Sequence, residues 1–516
     1  MRYLLLLCYL LVAPASPPPP VVYVTPFGSG DESGTSWKNA LSGLRLTSTL
    51  INARPGTQFW LAEGTYHPTV TNDRNASFIL ASGVQLYGGF AGTETTLSGR
   101  VPGTHETILS GNIGDETSST DNSFHVVQII DNQQPILLDN LTIRDGRIQS
   151  YDDGNFGGAG LSIEATLSLS TVQLSRCRFI DNKIHRGLTV GGAVSLLTET
   201  NARSTLTIRD CYFSGNEAGY GGAIGLSTQG GTFNTVITNS TFDQNTGKEG
   251  GAVSSRFVEH SPDNLLSISK CTFSRNVAEA TGGGITTGGG VEKLEACTFI
   301  GNKVVSTTGA SSGGGAVFCF NNSPTFQNCL FASNRADEGG AIQSLSDERP
   351  SAPTFINCTF ADNSASVGGG VMNARLSRHE FQSTAHQVSP TKAFFINCIS
   401  WGNLAPDAPF FKAQTLGDKQ ADATVTHSII EGDFPGEGNR AVDPLFVDAT
   451  SGDYRLRPDS PALFKGSVRA FDLPASDLAG YVRQPGQPVS LGAFEYVTTV
   501  SSLAAPITVQ RRSLVE

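Results

Sequence analysis

The sequence predicts an all-β chain wound as a right-handed parallel β-helix with a short N-terminal capping helix, and three observations predict it. A phrase of the form Cys-x-Phe-x-x-Asn recurs eight times between residues 177 and 403. A Gly-Gly pair followed by small or β-branched residues separates most successive copies. The segments between are short, β-branched or aromatic, bounded by glycine or asparagine, and carry no helical stripe. Self-similarity at a period of 26 to 40 residues is the mark of a solenoid.

From the N-terminus, the chain opens on an export signal expected over residues 1–15. Arg2 is the positive flank, residues 3–12 are the apolar run, and Ala13-Pro14-Ala15 gives an Ala-x-Ala cleavage pattern before Ser16. The run has about half the length of a spanning helix. Cys8 invites a lipoprotein reading, but Leu7 precedes it where a small residue is expected. Pro17-Pro18-Pro19-Pro20 reads as a stiff spacer. A cap and first coils are expected over residues 16–140. Ser36-Trp37 opens a helical stripe through Leu41, Leu44 and Ile51, which Pro55-Gly56 stops. Phe59-Trp60-Leu61 and Phe78-Ile79-Leu80 read as the first strands.

Residues 141–403 are the repeats. The phrase runs Cys177-x-Phe179 with Asn182, Cys211-x-Phe213 with Asn216, and Ser240-x-Phe242 with Asn245. Cys271-x-Phe273 with Asn276, Cys297-x-Phe299 with Asn302, Cys329-x-Phe331 with Asn334 and Cys358-x-Phe360 with Asn363 follow. Cys398-x-Ser400-Trp401 with Asn403 closes the series. Cys and Phe two residues apart face the same side of a strand, so both point inward as rows of thiols and rings. Asn falls where the chain turns, a place where it tolerates the left-handed region and can build an amide ladder. The glycine pairs, such as Gly191-Gly192, Gly221-Gly222, Gly250-Gly251, Gly283-Gly284 and Gly339-Gly340, suit corners that need positive φ and close backbone approach. At ~4.8 Å per rung, eight repeats stack to roughly 35–40 Å. The uneven period implies loops leaving a uniform coil, and segments 303–312 and 376–392 are two of them.

Residues 404–497 read as last coils and a C-terminal cap: Val425 to Ile430, Pro444-Leu445-Phe446, Tyr454-Arg455-Leu456 and Ser490 to Tyr496. Residues 498–516 read as a flexible tail, and the twenty residues after Tyr496 are too few for a translocating barrel or sorting domain.

A net charge of −11 and a pI near 5.3 argue against nucleic acid or an anionic membrane as partner. Cysteines 177, 211, 271, 297, 329, 358 and 398 share one repeat position. Their Cβ vectors run parallel, and Ser240 fills the same slot, so they read as buried free thiols before disulfides. A one-dimensional row offers no tetrahedral metal cage. Cys319 stands outside the row and reads as core.

Phe-x-x-Asn followed by Gly-Gly-Ala-Ile/Val resembles the repeat of bacterial polymorphic outer membrane proteins. The flanks Gly34-Thr35-Ser36-Trp37, Ala62-Glu63-Gly64-Thr65-Tyr66, Gly88-Gly89-Phe90, Asp443-Pro444-Leu445-Phe446 and Leu491-Gly492-Ala493-Phe494 are similar to those of exported bacterial β-helix proteins with interchangeable C-terminal anchors. The resemblance covers nearly all of the chain after the signal. It implies a pectin-lyase-like solenoid exported to the extracellular space or the outer-membrane surface.

Candidate chemistry is sparse. Asp152-Asp153 is the one pair that tempts a polygalacturonase-like reading, but neighbours on a strand point to opposite faces. Asp181, Asp243 and Asp362 lie near Asn corners of non-adjacent coils. Asp115, Glu116 and Asp121 could hold Ca²⁺ in a loop, the single cofactor considered. The histidines (67, 105, 125, 185, 260, 379, 386 and 427) form no His-x-x-x-His pair. Trp401 can face out as a sugar platform or cap the last coil. No residue is assigned a catalytic, cofactor-binding or metal-ligating role. The expectation is a surface-exposed, non-catalytic adhesin or binding rod, with a polysaccharide or cell-surface glycan as partner. The alternative is a polysaccharide lyase or glycoside hydrolase; a third is a passenger separated from its anchor.

Overall fold

A computed structural model describes residues 20–496 except 116, 150–156, 168, 186, 188, 259–260, 307–311, 347–348, 377–390, 414, 417–418, 469–472 and 484–485. The export signal, Cys8, Asp152, Asp153, Glu116, His260, His379 and His386 therefore lie outside the described residues.

The chain is a parallel β-helix. Among the described residues, four long sheets of fourteen, twelve, eleven and eight strands run along it. One turn shows the plan. Val194–Glu199 belongs to the eleven-stranded sheet, Arg203–Arg209 to the fourteen, Tyr212–Ser214 to the twelve and Glu217–Tyr220 to the eight. Ile224–Gln229 then lies beside Val194–Glu199, one rung on.

The repeat phrase locks this register. Phe213 pairs in parallel with Phe179 on one side and Phe242 on the other. Phe179, Phe213, Phe242, Phe273, Phe299, Phe331 and Phe360 stack ring on ring, with centroids 4.7 to 5.0 Å apart. Strand spacing and aromatic stacking distance coincide, so one repeat satisfies both. The eight described cysteines are buried free thiols. Cys297 Sγ, for example, lies 3.4 Å from the Glu295 carbonyl. Ser240 keeps that geometry: its hydroxyl accepts from Cys211 N at 3.1 Å and donates to Thr238 O at 2.8 Å.

The asparagine ladder forms, with one correction. From Asn182 to Asn363 each side-chain amide donates to the Oδ1 of the next rung, as Asn216 does to Asn245 at 2.9 Å and Asn245 to Asn276 at 3.0 Å. Each also donates back to a carbonyl of the preceding rung, Ile143 O for Asn182 and a phenylalanine for the others, as Asn276 Nδ2 does to Phe242 O at 3.0 Å. The left-handed residue, however, is the one before Asn: Asp181, Gly215, Gln244, Arg275, Gly301, Ser333, Asp362 and Gly402 all have positive φ. The asparagine is kept inside by the ladder, and its neighbour takes the strained corner.

Both roles expected of the glycine pair are present. Gly221 has φ of +70°, and a Cβ on Gly222 would meet Gly251 O at 2.3 Å and Thr246 O at 2.4 Å. The triple Gly282-Gly283-Gly284 shifts the expected register by one: Gly282 carries the positive φ of +63°.

The N-terminal plug is shorter than the sequence stripe suggested. Trp37–Asn39 and Gly43–Arg45 are 3₁₀ turns, and the α-helix spans only Leu46–Ile51. Leu41, Leu46 and Leu50 close the core, which continues unbroken to Ile430. Trp37 packs instead on Tyr23 and Phe90, with its indole N–H on Glu94 O at 2.8 Å.

The far end differs from expectation. Asp422–Thr426 and Ile429–Ile430 form the last rung, and Phe434 packs edge-on against Phe410 at 5.3 Å. Residues 444–456 and 490–496 are not further coils. Phe446–Asp448 and Asp453–Leu456 pair antiparallel, and the chain runs back over the outer face of the twelve-stranded sheet. Tyr454, Phe494, Leu456 and Leu491 cover Ile300, Leu330, Ala361, Ile399 and Ile429 there. Asn328 Nδ2 donates to Ser476 O at 2.6 Å and Asn357 Nδ2 to Ser490 O at 3.0 Å. These outward residues are apolar, so covering them removes their surface from water.

Candidate functional site

Among the described residues, a polar strip lies along the corner where the eight- and eleven-stranded sheets meet at the glycine pairs. The residue just before each pair forms a column: Tyr220 pairs with Glu249, Glu249 with Thr281, Thr281 bridges Gly313, and Gly313 bridges Glu338. Beside it runs a column from the eleven-stranded sheet, Ser254, Thr286, Phe318, Gln343 and Asn373, whose side chains are buried against the strip.

Two carboxylates anchor this strip, each on its own arginine. Arg256 Nε lies 3.4 Å from Glu249 Oε2, and its guanidinium sits 3.4 Å above the centroid of Phe320. The rung between them ends in Gly288-Gly289-Gly290, so no side chain blocks that reach. Burial pushes the Glu249 carboxyl up, while the charges of Arg256 and Lys248 pull it down. Glu338 Oε2 accepts from Gln343 Nε2 at 2.8 Å, Asn373 Nδ2 at 2.8 Å and Arg375 Nη1 at 3.1 Å.

Three rungs separate Glu249 from Glu338, ~14 Å along the axis, and Glu338 reaches one rung further away, towards Asn373. Paired carboxylates in glycoside hydrolysis stand about 5–9.5 Å apart. The strip offers planar hydrogen-bonding groups and aromatic surface, without two acids converging on one bond. Of the segments 303–312 and 376–392, expected as specificity loops, residues 307–311 and 377–390 lie outside the described residues.

The acids flagged from sequence are not brought together. Asp181 faces Lys183 Nζ at 3.4 Å. Asp243 holds Arg275 at 2.6 Å, and Asp362 accepts from the Tyr454 hydroxyl at 2.9 Å. Asp115 and Asp121 do meet, through Asp115 N on Asp121 Oδ2 at 2.7 Å. Hydrogen bonds from Thr117 hold the Asp115 carboxyl below its usual range. Among the described residues no three His, Cys, Asp or Glu gather as a metal would require. His105 contacts Glu63 at 2.7 Å, and buried His125 contacts Gly158 O at 2.9 Å. Trp401 does not stand free as a platform; it packs half-buried beside Ile399 and Ile429, where the returning chain lies. A second recess of about 420 Å³ opens where that chain crosses Lys270, Glu295 and Asn328.

Sequence reading missed Glu249, Arg256, Glu338 and Arg375. Aligning the repeats on the glycine pairs would have found the acids, since both immediately precede one; each arginine follows three residues after the strand's first member.

A family of Chlamydia polymorphic membrane protein repeats matches residues 210–227, which span one rung from its Asp210 corner into the next. Among solved structures, the chain is similar to pectate lyase Pel9A at 12% identity, with 92% of this chain and 96% of that one covered and a TM-score of 0.40. It is similar to a GH136 lacto-N-biosidase from Eubacterium ramulus at 12% identity, covering 82% and 68% with a TM-score of 0.36. A rhamnogalacturonan lyase gives 12% identity, 83% and 91% coverage and a TM-score of 0.33. No curated protein matches the chain.

Proposed function

We propose that this chain is an exported, non-catalytic binding rod displayed at a bacterial surface, engaging a polysaccharide or cell-surface glycan along the corner strip. The observation that carries this reading is the separation of Glu249 and Glu338, each neutralised by an arginine on its own part of the solenoid. Charge-neutral planar amides, guanidinium groups and carboxylates suit hydroxyl-rich ligands, with hydrogen bonds in the plane of each group. Phe320 adds apolar surface beside them. The matched repeat, from a family named for membrane proteins, supports a surface setting.

The test is product release from acidic and neutral polysaccharides, with and without Ca²⁺, beside retention of the folded protein on the same polymers. Retention without new reducing ends or unsaturated uronates is the expected result. Calcium-dependent ultraviolet absorbance would replace the rod with a lyase and direct attention to Asp115 and Asp121.

A further inference from the structure

Glu292 turns its side chain into the solenoid. Its strand Val291–Glu295 alternates, with Val291 and Lys293 outward and Glu292 and Leu294 buried. The interior column it joins reads Val172, Leu206, Thr235, Leu266 and Glu292 from rung to rung. Only its last member carries an ionisable group, and that residue is 3% exposed.

The local sequence explains the position. The repeat from Cys271 to Cys297 is the shortest of the series, and its turn into this strand is Gly288-Gly289-Gly290. A Cβ on Gly289 would meet Val258 O at 2.3 Å, and one on Gly290 would meet Asn264 O at 2.4 Å. The tight turn draws the strand against Ser255, whose hydroxyl donates to Glu292 Oε1 at 2.6 Å. Ser255 Oγ in turn accepts from Gly288 N at 3.3 Å. Glu292 Oε2 is buried with no hydrogen-bond partner.

The charged groups nearby do not compensate it. Lys293 and Glu295 on its own strand point outward and pair with each other at 3.2 Å. Arg256, next to Ser255 on Val253–Phe257 of the eleven-stranded sheet, is engaged outside with Glu249 and Phe320. Cys319 faces Glu292 from the rung beyond; its thiol is itself buried and pushed upward, so it brings no positive charge. An ionised carboxylate without a cation is strongly disfavoured in such a setting.

We infer that Glu292 is a proton-binding site inside the rod: folding keeps one proton on its carboxyl, and releasing that proton to water loosens the rungs beneath the Arg256–Phe320 contact. Burial pushes the group from 4.5 up to about 8, against the opposing pull of the nearby Ser255, Thr287 and Gly288 donor groups. Between those values the unfolded chain has lost the proton and the folded chain retains it. Stability therefore falls as pH rises through this window and levels off above it.

The experiment follows unfolding of the full chain and of Glu292→Gln from about pH 4.5 to about pH 9. The variant's midpoint should gain on the natural protein steadily up to about pH 8, with a constant gap beyond. Parallel curves would overturn the proposal. In the unsubstituted protein, the infrared carbonyl band of a protonated, isotope-labelled glutamic acid should persist at neutral pH and fade near pH 8. Amide exchange at residues 285–295, corrected for its intrinsic pH dependence, should accelerate over the same range. Loss of that band already near pH 5 would overturn the proposal even if the variant failed to fold.

Discussion

The first four and the last four repeats are alike inside and unlike outside. Phe213 and Phe331 sit in the same stack, and Asn216 and Asn334 in the same ladder. Outward positions on the twelve-stranded sheet read Arg178, Tyr212, Thr241 and Thr272 in the earlier rungs. In the later rungs they read Thr298, Leu330, Thr359 and Ile399. The earlier set is polar or half-exposed; the later set is buried beneath the returning C-terminal chain. The interior of a solenoid is set by what stacks on itself, its exterior by what lies across it.

Removing residues 443–496 should break this difference most severely. It would bare Ile300, Leu330, Ala332, Ala361, Ile399 and Ile429 as one apolar patch, an aggregation liability. Light scattering and dye binding should both rise sharply; a soluble, monodisperse product would contradict the covering role. A gentler version places one charge in each region. Leu330→Asp should cost about 3–5 kcal/mol, through a buried unpaired charge. Thr241→Asp should stay within about 0.5 kcal/mol, as an ordinary surface change. Denaturant titration distinguishes them, and equal effects would erase the contrast.

Inside, the two regions should respond alike. Phe213→Ala and Phe331→Ala should each lose about 3–5 kcal/mol, because the ring leaves a cavity in a fixed stack. Asn276→Ala strands the Phe242 carbonyl and two donors of Asn245, at about 1–3 kcal/mol per group. Cys329→Ser should shift the midpoint least, by under about 1 kcal/mol, since a hydroxyl there finds both a donor and an acceptor. Ser240 and Ser428 already do so: each accepts a backbone N–H and donates to a carbonyl.

This division also explains what was legible in the sequence. Cys, Phe and Asn announce themselves because each must match its copy one rung away, and identity is the simplest way to match. The left-handed corner escaped notice because Asp181, Gln244, Arg275 and Ser333 share a backbone conformation but no side-chain chemistry. The returning chain escaped because Tyr454 and Leu491 meet their partners once, with no repeat to advertise them. Yet the shift from Thr272 to Leu330 and Ile399 was present to be read as a covered face. Glu249 and Glu338 were hidden for a related reason: each occupies one rung of a column whose other members are Tyr220, Thr281 and Gly313.

In the function proposed above, the corner strip holds a glycan without cleaving it. Its most direct test is a glycan array probed with the natural protein and with the double variant Arg256→Ala, Arg375→Ala. The expected result is binding that the variant loses by about tenfold or more, equivalent to at least about 1.4 kcal/mol, with every recovered glycan intact. Equal binding by both proteins, or shortened glycans in the eluate, would contradict it.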